Sequence, residues 1–401
     1  MWKIIAVPLF GISLFGEDLA LARLKHEMAV AREQEKHAQQ FGENGAARIE
    51  AVHAALRDWL EPQLPKDAYS LAGEVSRLDA SLPKQLMEAG LLEAKSTNID
   101  SDLPDPAFDH LSDPAFSEVG LELKMMPEMP DLVFVTATVG VPCGYDQAVY
   151  AYRFDSNGRT REIEDHPKSD WGYASARLKL SDPDSQGRRL LLIDRSSTQC
   201  ASTWMGMTYA VYQMSLSKPP ETLLNTKHGF WLGNDGPEFV LKPDELTIEF
   251  LDTSVGVHNR TYIFRYSFAD GVKRLEPLVF QPQDFAEEWL TQPWSEVGSR
   301  SAPETQKWHA KLHADFVLGS YTNVVLCPGK PDRWSIGFEI SHIGEKELTE
   351  PMRAHLLVRD LGNYHFEMEA VSDSEFGGCP GHGEPSDKHP WLSVEQLKAL
   401  P

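Results

Sequence analysis

Basic residues are few in this sequence. Its 401 residues include 38 Lys and Arg against 60 Asp and Glu, which gives a formal net charge of -22 at pH 7. A protein with this charge repels nucleic-acid backbones and anionic lipid headgroups. We therefore expect no nucleic-acid partner and no docking to a membrane through basic side chains.

The sequence also lacks an apolar run long enough for a membrane span. The apolar run near the N-terminus covers residues 4–15, whereas a transmembrane helix needs about 20 apolar residues. Lys3, this run and the small residues ending at Ala22 follow the order of a secretory signal peptide. We expect residues 1–22 to be removed, the mature protein to be secreted or periplasmic, and no integral membrane span to remain. An uncleaved anchor and an ordinary buried helix are the alternatives.

Established catalytic motifs are missing as well. The sequence has no G-x-S-x-G, no G-x-G-x-x-G and no phosphate-binding loop, so serine-hydrolase and nucleotide chemistry lack support. His309 and His313 stand four residues apart on a predicted helix, but Ala310 occupies the position where a metalloprotease has Glu. We expect these two histidines to be structural, and the sequence indicates no cofactor.

What the sequence does contain changes along the chain. Residues 23–95 carry apolar residues at helical spacing, among them Ile49, Val52, Leu56 and Trp59, and predict a helical region in which no polar residue indicates chemistry. Residues 96–119 are rich in Asp and Pro, which favour turns, and predict a linker.

Residues 120–281 have the periodicity of strands and contain three similar copies of roughly 55 residues, each with about four predicted strands. Tyr152, Tyr212 and Phe264 align between the copies, at spacings of 60 and 52 residues. Such repeats resemble the blades of a β-propeller, although a ring needs at least about four blades. A hidden fourth copy and an open antiparallel meander or sandwich are both compatible with the pattern.

Residues 282–374 have the pattern of helices followed by four strands. This element order resembles the small α+β domains of the cystatin or nuclear-transport-factor-like kind. Residues 375–401 are predicted to be a tail. The predicted fold class is therefore α+β and mostly β, with a helical N-terminal region, an antiparallel β-repeat domain and a C-terminal module that contains a four-stranded meander.

The chain has only four cysteines, and an even number in an exported protein indicates disulfides. Cys143 and Cys200 lie in the same loop of adjacent copies, whereas Cys327 and Cys379 both lie towards the C-terminus. We therefore predict bridges between Cys143 and Cys200 and between Cys327 and Cys379.

A zinc site is the alternative for the C-terminal pair. Cys379 and His382 have C-x-x-H spacing, His389 follows, and Cys327 would be the fourth ligand of a tetrahedral ion. This alternative requires reduced cysteines, which an oxidising compartment disfavours. The sequence therefore predicts a disulfide and no metal.

Aromatic residues occur at equivalent places just before the second and third copies: Trp171, Tyr173, Phe230 and Trp231. Exposed rings at these positions would stack on a sugar or a peptide, whereas buried rings would fill the space between neighbouring sheets. These four residues are the candidate ligand contacts.

Two functions are compatible with these features. The first is an exported, non-enzymatic protein that binds a protein, a small molecule or a carbohydrate. The second is an exported hydrolase with an acid/base pair drawn from distant loops, for which the candidates are Asp146, Asp170, His166 and His258. A histidine within hydrogen-bond distance of an acid would favour the hydrolase.

Overall fold

The computed structural model describes residues 12–37, 44–66, 71–92, 116–141, 144–168, 173–197, 204–216, 218–232, 236–253, 259–276, 278–313, 317–342, 350–383 and 393–398. The chain divides into two compact units, Met1–Gly229 and Phe230–Pro401.

Three helices begin the described part of the first unit: α1 (Ile12–His37), α2 (Gly45–Leu60) and α3 (Leu71–Glu88). Helix α2 ends just before Pro62, which lies in a single 3-10 turn, Glu61–Gln63. Proline has no backbone N–H to continue the helical hydrogen bonds. Within the described ranges of the whole chain, no helix is both long enough and apolar enough to cross a lipid bilayer.

Two four-stranded sheets follow, and in each the strands lie side by side in chain order. The first sheet consists of β1 (Val119–Met126), β2 (Met129–Val141), β3 (Gly144–Asp155) and β4 (Gly158–Asp165). The second consists of β5 (Tyr173–Leu180), β6 (Arg189–Ser197), β7 (Trp204–Met214) and β8 (Glu221–Leu232).

The first sheet is buried on both faces. Val133 and Val135 of β2 pack against the helices, together with Tyr150 and Tyr152 of β3. The residues between them face the second sheet, as Phe134 does. This alternation follows from the two-residue period of a strand. Helices and second sheet therefore enclose the first sheet.

The second unit also contains two four-stranded sheets with strands in chain order. One consists of β9 (Glu238–Leu241), β10 (Glu245–Thr253), β11 (Asn259–Ser267) and β12 (Lys273–Arg274). The other consists of β13 (Val317–Leu326), β14 (Arg333–His342), β15 (Met352–Gly362) and β16 (His365–Ser372).

Among the described residues of this unit, four helices accompany the sheets: α4 (Pro282–Thr291), α5 (Trp294–Val297), α6 (Gln306–Leu312) and α7 (Val394–Lys398). Phe285 and Trp289 of α4 are fully buried and share one apolar core with Ile336 and Phe338 of β14. The segment before the last sheet is therefore fixed to it by apolar packing.

The predicted fold class is confirmed. The three sequence copies correspond to the first three sheets, and the aligned residues Tyr152, Tyr212 and Phe264 lie on the third strand of each. The predicted C-terminal meander is the fourth sheet, β13–β16, and it follows helices as expected.

Candidate functional site

Three side chains from distant parts of the first unit meet below α2: His53, Asp146 and His166. Nε2 of His53 and Nε2 of His166 each lie 2.7 Å from the same oxygen, Oδ1 of Asp146. The centroids of the two imidazole rings are 4.4 Å apart. His53 and Asp146 are almost fully buried, at 1% and 0% exposure. We call these three residues the His-Asp-His cluster.

Local structure places His53 in this cluster. It lies on the buried face of α2, in helical phase with Ile49, Leu56 and Leu60. Residues spaced by three or four positions share one face of a helix. The same face that packs the helix against the first sheet therefore also carries an imidazole towards that sheet.

Strand alternation places Asp146 opposite the helix. The even-numbered residues of β3 from Ala148 to Phe154 face the helices, and Asp146 precedes them with the same parity. His166 follows β4 directly, and Asp165 at the end of β4 pairs with Val149. The acid and the second histidine therefore lie beside each other at one end of the first sheet.

The environment gives the two histidines different charges. Burial lowers the pKa of His53, and its hydrogen bond to Asp146 does not compensate. Burial also lowers the pKa of His166, but Asp146 and Glu50 outweigh it, so this pKa is raised. Burial raises the pKa of Asp146, whereas hydrogen bonds to both imidazoles hold it well below its usual value. Asp146 is therefore ionised, and both Nε2 atoms donate to it.

A fourth residue extends the cluster to the surface. Oε2 of Glu50 lies 3.4 Å from Nδ1 of His166, and its side chain is 45% exposed. By contrast, Nδ1 of His53 is buried and has no hydrogen-bond partner among the described residues. The outer nitrogens of the two rings therefore differ in that only His166 faces a carboxylate.

His166 also lines a small polar pocket of about 130 Å³. Its floor contains a buried ion pair, in which Arg195 donates from Nη1 to Oδ1 and from Nη2 to the backbone oxygen of Asp165. Tyr212 donates to Oδ2 of the same carboxylate at 2.6 Å. Other lining residues include Glu164 and Asn225.

The structure brings together two of the four predicted acid/base candidates, Asp146 and His166. Asp170 and His258 lie outside the described residues. The sequence analysis found no chemical candidate in the helical region 23–95, and His53 and Glu50 correct this. Two signals identify them: the position of His53 on an apolar helical face, and the parity of Asp146 on β3.

Most of the predicted ligand contacts and one predicted bridge cannot be placed. Cys143, Cys200 and Trp171 lie outside the described residues. Tyr173 is the first residue of β5, and Phe230 and Trp231 lie in β8. Their role in ligand contact remains a prediction.

Cys327 and Cys379 form a disulfide, which is the pairing that the sequence predicts for them. Neither sulfur is therefore a thiolate ligand, which rules out the alternative zinc site. His382 is exposed, and His389 lies outside the described residues.

His309 and His313 both lie at the C-terminal end of α4. Nε2 of His309 is 3.0 Å from the backbone oxygen of Gln292, and Nδ1 of His313 is 3.0 Å from that of Leu290. Each ring therefore contacts a carbonyl oxygen at a helix end, where such oxygens lack partners within the helix.

No family model matches the chain, and no curated protein matches its sequence. Two solved structures, a BT0996 complex with RGII and a glycoside hydrolase, each show 9% identity and a TM-score of 0.21 over 62% of this chain and 72% of theirs. The GH43 BlXynB protein from Bacillus licheniformis shows 11% identity and a TM-score of 0.18 over 71% of this chain and 49% of its own. TM-scores this low carry no information about function.

Proposed function

We propose that the protein is exported and binds a small, neutral, hydroxyl-rich ligand, such as one sugar residue, in the pocket beside His166. The observation that carries this proposal is a polar pocket whose floor is a buried, fully hydrogen-bonded group of side chains, Arg195, Asp165 and Tyr212. Groups that are already fixed in place lose little conformational entropy when a ligand binds.

The size of the pocket favours a ligand of about one ring. Its volume is about 130 Å³, whereas pockets for drug-sized ligands have roughly 300–1,000 Å³. We therefore expect a single sugar residue, or one residue of a longer chain, to occupy it.

Its charge favours a neutral ligand. The carboxylates of Glu164 and Asp165 are balanced by the guanidinium of Arg195 and by the imidazolium of His166. An anionic ligand would meet two carboxylates, which costs free energy in a partly buried site. Hydroxyl groups, by contrast, both donate to carboxylates and accept from donors such as the exposed amide of Asn225.

Two features support export. The Cys327–Cys379 disulfide is of a kind that persists in oxidising compartments. The first 22 residues have the order of regions found in secretory signal peptides. Both features fit a secreted or periplasmic protein.

Hydrolysis of the ligand is the second candidate function, and the contact between Asp146 and His166 favours it. A carboxylate that orients an imidazole is a recurrent arrangement in general acid-base catalysis. Here Asp146 holds Nε2 of His166, so Nδ1, which faces exposed Glu50, is the nitrogen that would exchange protons.

The test is a titration of the protein with glucose, galactose and xylose, followed by NMR, with glucuronate as the anionic comparison. We expect binding of at least one neutral sugar, weaker binding of glucuronate, and loss of binding in Asn225→Ala. Glu221→Ala is the control, because Glu221 is also exposed on β8 but does not line the pocket. Equal binding by both variants, or no binding of any neutral sugar, would refute the proposal.

The corresponding methyl glycosides separate the two functions in the same experiment. A glycoside that is recovered intact after binding supports the binding function. A glycoside that is cleaved, with the rate abolished in His166→Gln, supports hydrolysis.

A further inference from the structure

We propose that the His-Asp-His cluster is a zinc site. Among the described residues, His53, Asp146 and His166 form a group whose ligand atoms all lie within 4.8 Å of one another. Imidazole nitrogen and carboxylate oxygen are the ligands that zinc takes in catalytic sites with three protein ligands. The proposal goes beyond ligand binding in the pocket and does not depend on it.

The three donors converge because three different elements hold them. His53 is fixed by α2, Asp146 by β3 and His166 by the end of β4. His53 and Asp146 lie in the buried layer between α2 and the first sheet, where packing restricts side-chain rotamers. A site built on helices and strands holds its ligands more accurately than one built on flexible loops.

The spacing of the donors is close to that of a metal site. Each Nε2 lies 2.7 Å from Oδ1 of Asp146. Two ligands on one tetrahedral zinc are about 3.3 Å apart when each bond is about 2.0–2.1 Å. Zinc binding therefore requires each imidazole to move away from the carboxylate by about 0.6 Å, in exchange for the proton that each Nε2 now donates.

Glu50 supplies the outer contact that zinc-bound histidines usually have. Its Oε2 lies 3.4 Å from Nδ1 of His166, and a carboxylate at this position orients the ring and makes the opposite nitrogen a better ligand. Together, Asp146 and Glu50 contribute two negative charges near the site. Their sum balances the charge of one divalent ion.

The arrangement leaves one coordination position for a small molecule. Three protein ligands occupy three of the four positions around tetrahedral zinc, and the fourth then holds water or substrate. His166 belongs both to the cluster and to the wall of the pocket. We therefore expect the fourth position on the pocket side.

The test is a zinc titration of tag-free full-length protein after treatment with a chelator, near neutral pH and without sugar. Isothermal calorimetry should show one zinc per chain. His166→Gln should weaken binding by about 100-fold or more, and Glu50→Gln by about 10- to 100-fold. His382→Gln, which changes an exposed histidine of the second unit, should bind zinc as the wild type does.

X-ray absorption at the zinc edge of the wild-type protein tests the ligands without relying on a variant. We expect two imidazoles and further nitrogen or oxygen ligands at about 2.0–2.1 Å. Absence of stoichiometric zinc, unchanged binding by folded His166→Gln, or sulfur ligands in the spectrum would overturn the proposal. Because no sugar is present, none of these outcomes depends on the proposed pocket ligand.

Discussion

Arg260 of β11 lies among three carboxylates of α4 in the second unit. Its Nη2 is 2.7 Å from Oε1 of Glu288, its Nη1 is 3.7 Å from Oε2 of Glu287, and its Nε is 3.9 Å from Oδ1 of Asp284. One guanidinium cannot neutralise three acids. The pKa of Asp284 is raised to about 6, chiefly by burial and also by Glu288, against the opposing effect of Arg260.

This raised pKa predicts that the second unit loses stability as the pH rises. The folded protein holds the Asp284 proton more tightly than the unfolded chain, so the contribution is fully present below pH 3.8 and is lost as the pH rises through about 6. Between pH 5 and pH 7 the loss amounts to roughly 1.3 kcal/mol. Asp284→Asn should reduce this difference, as measured by urea unfolding at both pH values.

Glu304→Gln is the control for this experiment, because Glu304 is an exposed carboxylate of the same unit. It should retain the pH dependence of the wild type. A pH dependence that is the same in wild type and Asp284→Asn would contradict the prediction.

At the scale of elements, the segment that follows β16 is bound to the edge strand β13. The amide of Val324 donates to the backbone oxygen of Gly383 at 3.0 Å. The side chain of Asn323 donates to the backbone oxygen of Gly381 and accepts from the amide of Gly383. The Cys327–Cys379 disulfide joins the same two segments. These contacts cover part of an edge that would otherwise have unpaired backbone groups.

We therefore predict that Cys327→Ser/Cys379→Ser destabilises the second unit. The two cysteines are separated by 52 residues, and closing a loop of this length stabilises by about 4 kcal/mol, with some reduction if the unfolded chain keeps residual structure. The unfolding midpoint should fall, and the amide of Val324 should exchange hydrogen faster in NMR or mass spectrometry.

Reducing agent provides the control. Wild type should lose stability in its presence, and the double variant should respond only through the predicted Cys143–Cys200 bridge. A double variant as stable as wild type would show that the hydrogen bonds alone hold the segment. Non-reducing peptide mapping identifies both pairings directly.

At the scale of the whole molecule, α1 is continuous across the predicted cleavage site at Ala22. Leu19, before this site, is 72% exposed, whereas Leu24, Met28 and Ala31 after it are buried in the core of the first unit. Ala20 and Leu21 pack against that core only in part. Removal of residues 1–22 would therefore retain most of the apolar contacts of this helix.

We predict that the protein recovered from its native host begins at Arg23. Intact mass and N-terminal sequencing measure this directly, and a thermal unfolding midpoint within a few degrees of the full-length chain is expected because the buried stripe is kept. Recovery of a chain that begins at Met1 would contradict both the cleavage and the predicted compartment.

The sequence determined the class of each segment, because local patterns are sufficient for this. Helical spacing of apolar residues, alternation in the three copies and the change to helices near residue 282 predicted the α+β, mostly β fold. It also determined the pairing of Cys327 with Cys379, since both lie in one segment.

Only the tertiary structure decided which polar side chains meet. Asp146 is 93 residues from His53 and 20 from His166 along the chain, and no local pattern encodes their contact. The contact depends on how α2 packs against the first sheet, which is set by many apolar side chains together. Helix phase and strand parity show that His53 and Asp146 face the core, but not that they face each other, because that requires the register between a helix and a sheet.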